Sequence, residues 1–293
     1  MPPCRPLCSR SGCGISTCSG HDRMDRNLRY VADSGGRCAR TTKIVDSHCH
    51  LGLGNVPLTG EAPDRSFDRY VDRADSAGVI LTVVMAPPGG RYRQGNRAVG
   101  ELVSIYPTRF LGYVFVNPVT EAGKIAHVVA AARRWGACGI KVHWSDGAAT
   151  DEIGAVARAH HMPVLYDPYG DTTTVESLAR RHPDVGWIIP HLSSFADDWR
   201  AQTRMISLLT KLPNVFTDTS GVRYFDLLAD AVRYAGPHKV LFGSDGPYLN
   251  PLVELTKIFA LRLPPEDSRL VLSANVLRLT HRARKSAGIR RRR

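Results

Sequence analysis

Ile44-Val45-Asp46-Ser47-His48-Cys49-His50 carries an apolar strand into a dense cluster of ligand-capable side chains, and the fold is read outward from it. Side chains two apart on an extended strand point the same way. His48 and His50 therefore aim two imidazoles at one point, while Ser47 and Cys49 face elsewhere. The result is a two-pronged metal grip. Imidazole suits zinc, iron, nickel and copper, but a catalytic ion needs further protein ligands and an open position. Paired histidines also occur in surface loops and at core edges, so the pair gains meaning only from what the chain brings to it.

Downstream, Val79 to Met85 is a short apolar run that stops at Pro87-Pro88-Gly89-Gly90, as a strand buried on both faces does. Similar runs follow at Phe110 to Val116, Cys138 to His143, Pro163 to Asp167, Val185 to Pro190, Val215 to Asp218 and Lys239 to Asp245. Segments with helical spacing separate them: residues 67–75, 98–105, 125–135, 151–160, 174–181, 197–211 and 224–234, with 251–260 and 266–281 closing the domain. Residues 90–96 read as a polar loop. Two α/β architectures accept this alternation. A doubly wound sheet would want a glycine fingerprint, which neither Gly52-Leu53-Gly54 nor Gly89-Gly90 completes. The expected fold is a (β/α)8 TIM-like barrel with a C-terminal helix. Polar residues at the C-terminal ends of strands one, four, five, six and eight then share one rim.

The 293 residues divide into a leader (1–43), a barrel (44–281) and a basic tail (282–293). The formal charge of +12 sits at the two ends, while the body between them is neutral. That distribution argues against a specific nucleic-acid face. Cys4, Cys8, Cys13 and Cys18 lie in a Pro-, Gly- and Ser-rich leader with no core-forming pattern, so disorder is expected there; Met24 is an alternative start. No apolar run marks a signal peptide or a membrane span, and scattered body cysteines fit a reducing cytoplasm. No repeat or heptad fixes a dimer, although self-association is compatible with the fold.

On the expected rim, Lys141 and His143 come from strand four, Asp167 from strand five, His191 from strand six and Asp245 from strand eight, which adjoins strand one in a closed barrel. Imidazoles and carboxylates buried together are costly without a partner, and a divalent ion resolves that tension. It would also lower the pKa of a bound water. Asp46-Ser47-His48-Cys49-His50, Gly139-Ile140-Lys141-Val142-His143, Ile188-Ile189-Pro190-His191-Leu192, Leu241-Phe242-Gly243-Ser244-Asp245-Gly246-Pro247 and Leu272-Ser273-Ala274-Asn275 together resemble the amidohydrolase superfamily. The resemblance is closest to its amidohydrolase-related branch of small-molecule lactonases and metal-dependent decarboxylases.

The resemblance implies that His48 and His50 are metal ligands, that Asp245 is a ligand or proton shuttle, and that His191 polarises substrate or activates water. As plainer alternatives, His191 could cap a strand and Asp245 could cap a helix. Asp167 stands where relatives commonly place a ligand histidine. It gives a His48, His50, Asp167 and Asp245 set, or marks a branch without a tightly held metal. Zinc is the first expectation, with manganese or iron as alternatives. Lys141 is read as a free ammonium that holds a substrate carboxylate or pairs with Asp167, rather than as a carboxylated bridge. Arg91, Arg93, His143, Trp144, Arg223, Tyr224 and Tyr248 are the candidate substrate contacts, and they suit a small anionic or aromatic molecule. The reading puts hydrolysis of a small ester, lactone or amide first and decarboxylation of an aromatic or unsaturated acid second; a non-catalytic binding role is third.

Overall fold

A computed structural model describes residues 42–54, 63–89, 92–195 and 198–286. The leader apart from Thr42 and Lys43, and residues 55–62, 90–91, 196–197 and 287–293, lie outside the described residues.

Eight parallel strands hydrogen-bond in sequence order. They are β1 (Ile44–His50), β2 (Val79–Met85), β3 (Phe110–Phe115), β4 (Gly139–His143), β5 (Val164–Asp167), β6 (Trp187–Ile189), β7 (Val215–Asp218) and β8 (Val240–Leu241). The Ser47 amide donates to Phe242 O at 2.9 Å, and a parallel bridge joins Cys49 to Gly246, so the strand-eight side meets β1. This is the expected barrel. Its strands are apolar and buried almost throughout, as a sheet covered by helices requires. At Gly139 any Cβ would lie 2.4 Å from the Tyr113 ring, so only glycine lets β4 pack beside β3.

The helices are α1 (Pro63–Ser76), α2 (Tyr92–Ile105), α3 (Ile125–Arg133), α4 (Asp151–Ala159), α5 (Thr172–Arg181), α6 (Trp199–Lys211), α7 (Phe225–Asp230), α8 (Pro251–Ala260), α9 (Pro265–Arg269) and α10 (Asn275–Ser286). Side chains of Thr150, Asp171, Asp198 and Asn250 cap α4, α5, α6 and α8 by accepting first-turn amides, which sets where those helices begin. None of the helices among the described residues is long and apolar enough to cross a membrane.

Several boundaries differ from expectation for local reasons. β8 is two residues long because the Phe242 amide turns to Val271 O at 2.8 Å. The expected closing helix is broken by a π-turn at Leu270–Ala274, and α10 then runs to Ser286. Residues 282–286, expected in the tail, are therefore helical. α2 starts at Tyr92 because that ring stacks on Phe115 at 3.9 Å and its hydroxyl donates to Asp146 at 2.5 Å. Residues 92–96 are thus helix rather than loop.

Candidate metal centre

Three of the histidines on the rim, His48, His50 and His191, are held by Nδ1 against acceptor oxygens. His48 Nδ1 lies 2.9 Å from Asp218 Oδ2, His50 Nδ1 2.9 Å from Ala86 O, and His191 Nδ1 2.8 Å from Ser220 O. Carboxylates and carbonyls only accept, so in each neutral ring the proton sits on Nδ1 and the Nε2 lone pair is left bare. Period-two geometry then brings His48 Nε2 and His50 Nε2 to 3.3 Å, and each is 3.4 Å from Asp245 Oδ1. Three electron-rich atoms in so small a triangle repel one another unless an electrophile lies between them. Edges of that length match ligand bonds of about 2.0–2.1 Å around one ion. Ligand atoms of His48, His191 and Asp245 also lie within 4.8 Å of one another. The donor set fits a divalent metal.

Asp245 reaches the triangle because its backbone is pinned to β1. Its amide donates to His48 O at 2.8 Å, and its φ of 55° is left-handed. His191 sits on a similarly forced turn: His191, Leu192 and Ser193 all have positive φ, at 59°, 51° and 78°. Such residues cost about 1–3 kcal/mol each and persist only where neighbours over-determine them. Here Gln202 Nε2 donates to His191 O and Ser194 O, at 3.2 and 2.9 Å, and the His191 amide donates to Asp218 Oδ1 at 3.3 Å.

Asp218 was missed as a functional residue, although it ends β7 on the same rim. Beyond His48 and the His191 amide, it accepts from Ser220 Oγ at 2.6 Å and Ser220 N at 3.1 Å. Burial pushes its pKa up, but His48, His191 and Ser220 outweigh burial and bring it down to about 2. The same balance, with His48, His50 and His191 against burial, holds Asp245 well below the usual carboxylate range. Burial and the nearby Lys141 lower His48 to about 4, so its ring is neutral at pH 7. Asp46, from the same motif, plays a different part. It accepts from Tyr70 Oη at 2.7 Å and Ser244 Oγ at 2.5 Å, tying β1 to the loop after β8. Burial dominates there and raises it to about 6.

The remaining candidates divide. Lys141 is 1% exposed, with Nζ 3.4 Å from His48 Nε2; burial lowers its pKa against the pull of Asp167, Asp245 and Asp218. Asp167 is buried but outside the His48, His191 and Asp245 group. Its Oδ1 accepts the Tyr169 amide at 3.1 Å, and its Oδ2 is 3.6 Å from His143 Nε2 and 4.0 Å from His191 Nε2. It lies beside the triangle rather than within it. Tyr248 packs edge-on against His50 at 5.6 Å and donates to Leu53 O. Trp144 stacks on Tyr169 at 4.4 Å. Arg223 and Tyr224 are exposed, with the guanidinium 5.8 Å from the Tyr224 ring centre. Arg93 lies with Glu101, His127 and Trp135 in a cavity lined by α2 and α3. Arg91 is outside the described residues.

A family model described as amidohydrolase matches residues 45–279. The chain belongs to the amidohydrolase family. No curated protein matches. Among solved structures, a 5-carboxyvanillate decarboxylase from Sphingomonas paucimobilis is 14% identical with a TM-score of 0.64, covering 82% of this chain and 99% of that one. A dihydroxybenzoic acid decarboxylase from Polaromonas sp. JS666, solved with manganese and 2-nitroresorcinol, is 16% identical with a TM-score of 0.64, covering 84% and 99%. An uncharacterised TIM-barrel protein from Bordetella bronchiseptica is 16% identical with a TM-score of 0.65, covering 82% and 99%.

Decarboxylases of aromatic acids recur among these matches, which overturns the expectation that hydrolysis ranks ahead of decarboxylation. Family membership and the His/His/Asp centre make this a metal-dependent enzyme acting on a small molecule.

Proposed function

We propose that this enzyme decarboxylates a small aromatic carboxylic acid, with His48, His50 and Asp245 holding one divalent ion. The observation that carries the reading is the buried donor triangle on a barrel whose solved relatives recurrently act on carboxylated rings. Manganese is the first ion to test, since the Polaromonas enzyme was solved with it. When bound, the ion would neutralise and fix the substrate's anionic oxygens.

The reaction breaks the bond between ring carbon and carboxylate. Carbon dioxide departs, and the electron pair left on the ring carbon takes a proton, so one proton is consumed per turnover. His191 is the group proposed to deliver it: its Nδ1–H is committed to Ser220 O, so its bare Nε2, which faces the centre, first takes up the consumed proton from water and the imidazolium then passes it to the ring carbon. Lys141, a cation walled off from water, would draw the acid inward. Buried walls leave the carboxylate poorly solvated, which favours its conversion to neutral carbon dioxide. Asp218 keeps His48 in the tautomer that offers a lone pair.

The test is a panel of hydroxybenzoates and methoxybenzoates incubated with chelator-stripped protein reloaded with manganese or zinc. Carbon dioxide and the decarboxylated ring are expected in equal amounts, absent in His48→Ala and in the stripped protein. Release of neither from any acid, with metal bound at one ion per chain, would reject the reading.

A further inference from the structure

We infer that the loops after β4 and β5 form a distal subsite that takes the ring edge carrying a neutral hydrogen-bond acceptor, such as a methoxy or nitro oxygen. The inference rests on the aromatic-acid reading and adds to it which substituent the site selects.

His143 differs from the three histidines of the centre. Its Nδ1 accepts the Ser145 amide at 3.3 Å and lies 2.8 Å from Ser145 Oγ. An amide can only donate, so this Nδ1 carries the lone pair and the ring proton sits on Nε2. Among the described residues, the acceptor facing that proton is Asp167 Oδ2, 3.6 Å away and outside hydrogen-bond range. Where His48, His50 and His191 offer lone pairs, His143 offers a donor. Ser145 is the positioning residue that fixes this polarity.

The donor adjoins an aromatic shelf. The Trp144 ring lies 5.6 Å from His143 and stacks on Tyr169 at 4.4 Å with 26° between planes. Both rings are open to solvent, Trp144 by 45% and Tyr169 by 61%. Tyr169 is held there by its left-handed backbone and by its amide bond to Asp167 Oδ1. Two exposed, stacked aromatics beside a donor leave a planar apolar surface that a substrate ring can cover. The Asp167 carboxylate repels a second anion at this edge. The selected substituent is therefore a neutral acceptor.

The experiment compares benzoate with 3-methoxybenzoate, titrated onto the manganese-loaded full chain by calorimetry, with the His143 tautomer read by nitrogen-15 NMR on the diamagnetic zinc-loaded chain. The wild type is expected to bind 3-methoxybenzoate about tenfold more tightly, as one well-placed hydrogen bond allows. His143→Leu should erase that preference while still binding benzoate, His143→Gln should retain most of it, and Trp144→Leu should weaken both acids. Equal affinities in the wild type, or a preference that survives His143→Leu, overturn the subsite. A proton found on His143 Nδ1 overturns it whichever acid is turned over. Binding of neither acid rejects the aromatic-acid reading itself, and the subsite's ligand class with it.

Discussion

Replacing Asp218 by asparagine changes no volume and removes one charge, yet it should disable the metal grip. The carboxylate accepts from four groups: His48 Nδ1 on Oδ2, and Ser220 Oγ, Ser220 N and the His191 amide on Oδ1. An amide has one accepting oxygen. If that oxygen serves the three donors on the Oδ1 side, the NH2 faces His48 Nδ1, and two donors meet. His48 then escapes by moving its proton to Nε2, the atom that must bind the ion. Partners in this position typically contribute 10- to 100-fold to metal affinity, about 1.4–2.8 kcal/mol. Metal affinity of Asp218→Asn, measured by competition with a fluorescent chelator, is expected to fall by about 30-fold with the circular dichroism spectrum unchanged. An affinity within twofold of wild type would refute the tautomer argument.

Lys141→Met should raise divalent-ion affinity about tenfold in the same assay, because it removes a cation 3.4 Å from a ligand nitrogen, while catalysis falls through loss of the group that draws in the acid. In the metal-free protein the titrations of His48 and Asp46 should nearly cancel between about pH 6 and 4, leaving the loss of stability that His143, depressed to about 3, brings as pH falls from 6.5. His48, depressed to about 4, loses stability as pH falls from 6.5, while Asp46, raised to about 6, gains it over much of the same window. Urea unfolding of Asp46→Asn should therefore lose about 2 kcal/mol more than wild type between pH 6.5 and 4, the offset that the raised Asp46 supplies. Lys239→Met should cost about 2 kcal/mol in urea unfolding, since it removes two charge-assisted bonds from Nζ, to Leu212 O at 2.6 Å and Val215 O at 2.8 Å, and leaves Leu212 O only the Val215 amide at 3.2 Å.

The alternation of apolar runs with helical spacing was enough to reach the barrel, and side-chain alternation on one strand was enough to pair His48 with His50. The rim rule found His191 and Asp245 because each follows an apolar strand. It applied equally to Asp218, but a carboxylate ending a strand says nothing of which imidazole it meets 170 residues earlier. Ser220 and Ala86 O were hidden for the same reason: second contacts depend on register between strands, which the chain order does not fix. Arg93 sits on α2 rather than in a loop because a Tyr92 ring stacked on Phe115 sets the helix start, a contact no local pattern reveals. The polarity of His143 was likewise invisible, since it depends on an amide two residues on that folds back only after β4 ends.

The most direct test of the central claim is mass spectrometry of the product formed in deuterium oxide from a substrate identified in the acid panel, using manganese-loaded and chelator-treated protein. One deuterium at the ring carbon that carried the carboxylate, one carbon dioxide per product, and no product without metal are the expected results. A product formed at equal rate without metal, or one that gains water and keeps its carboxylate, would contradict the account.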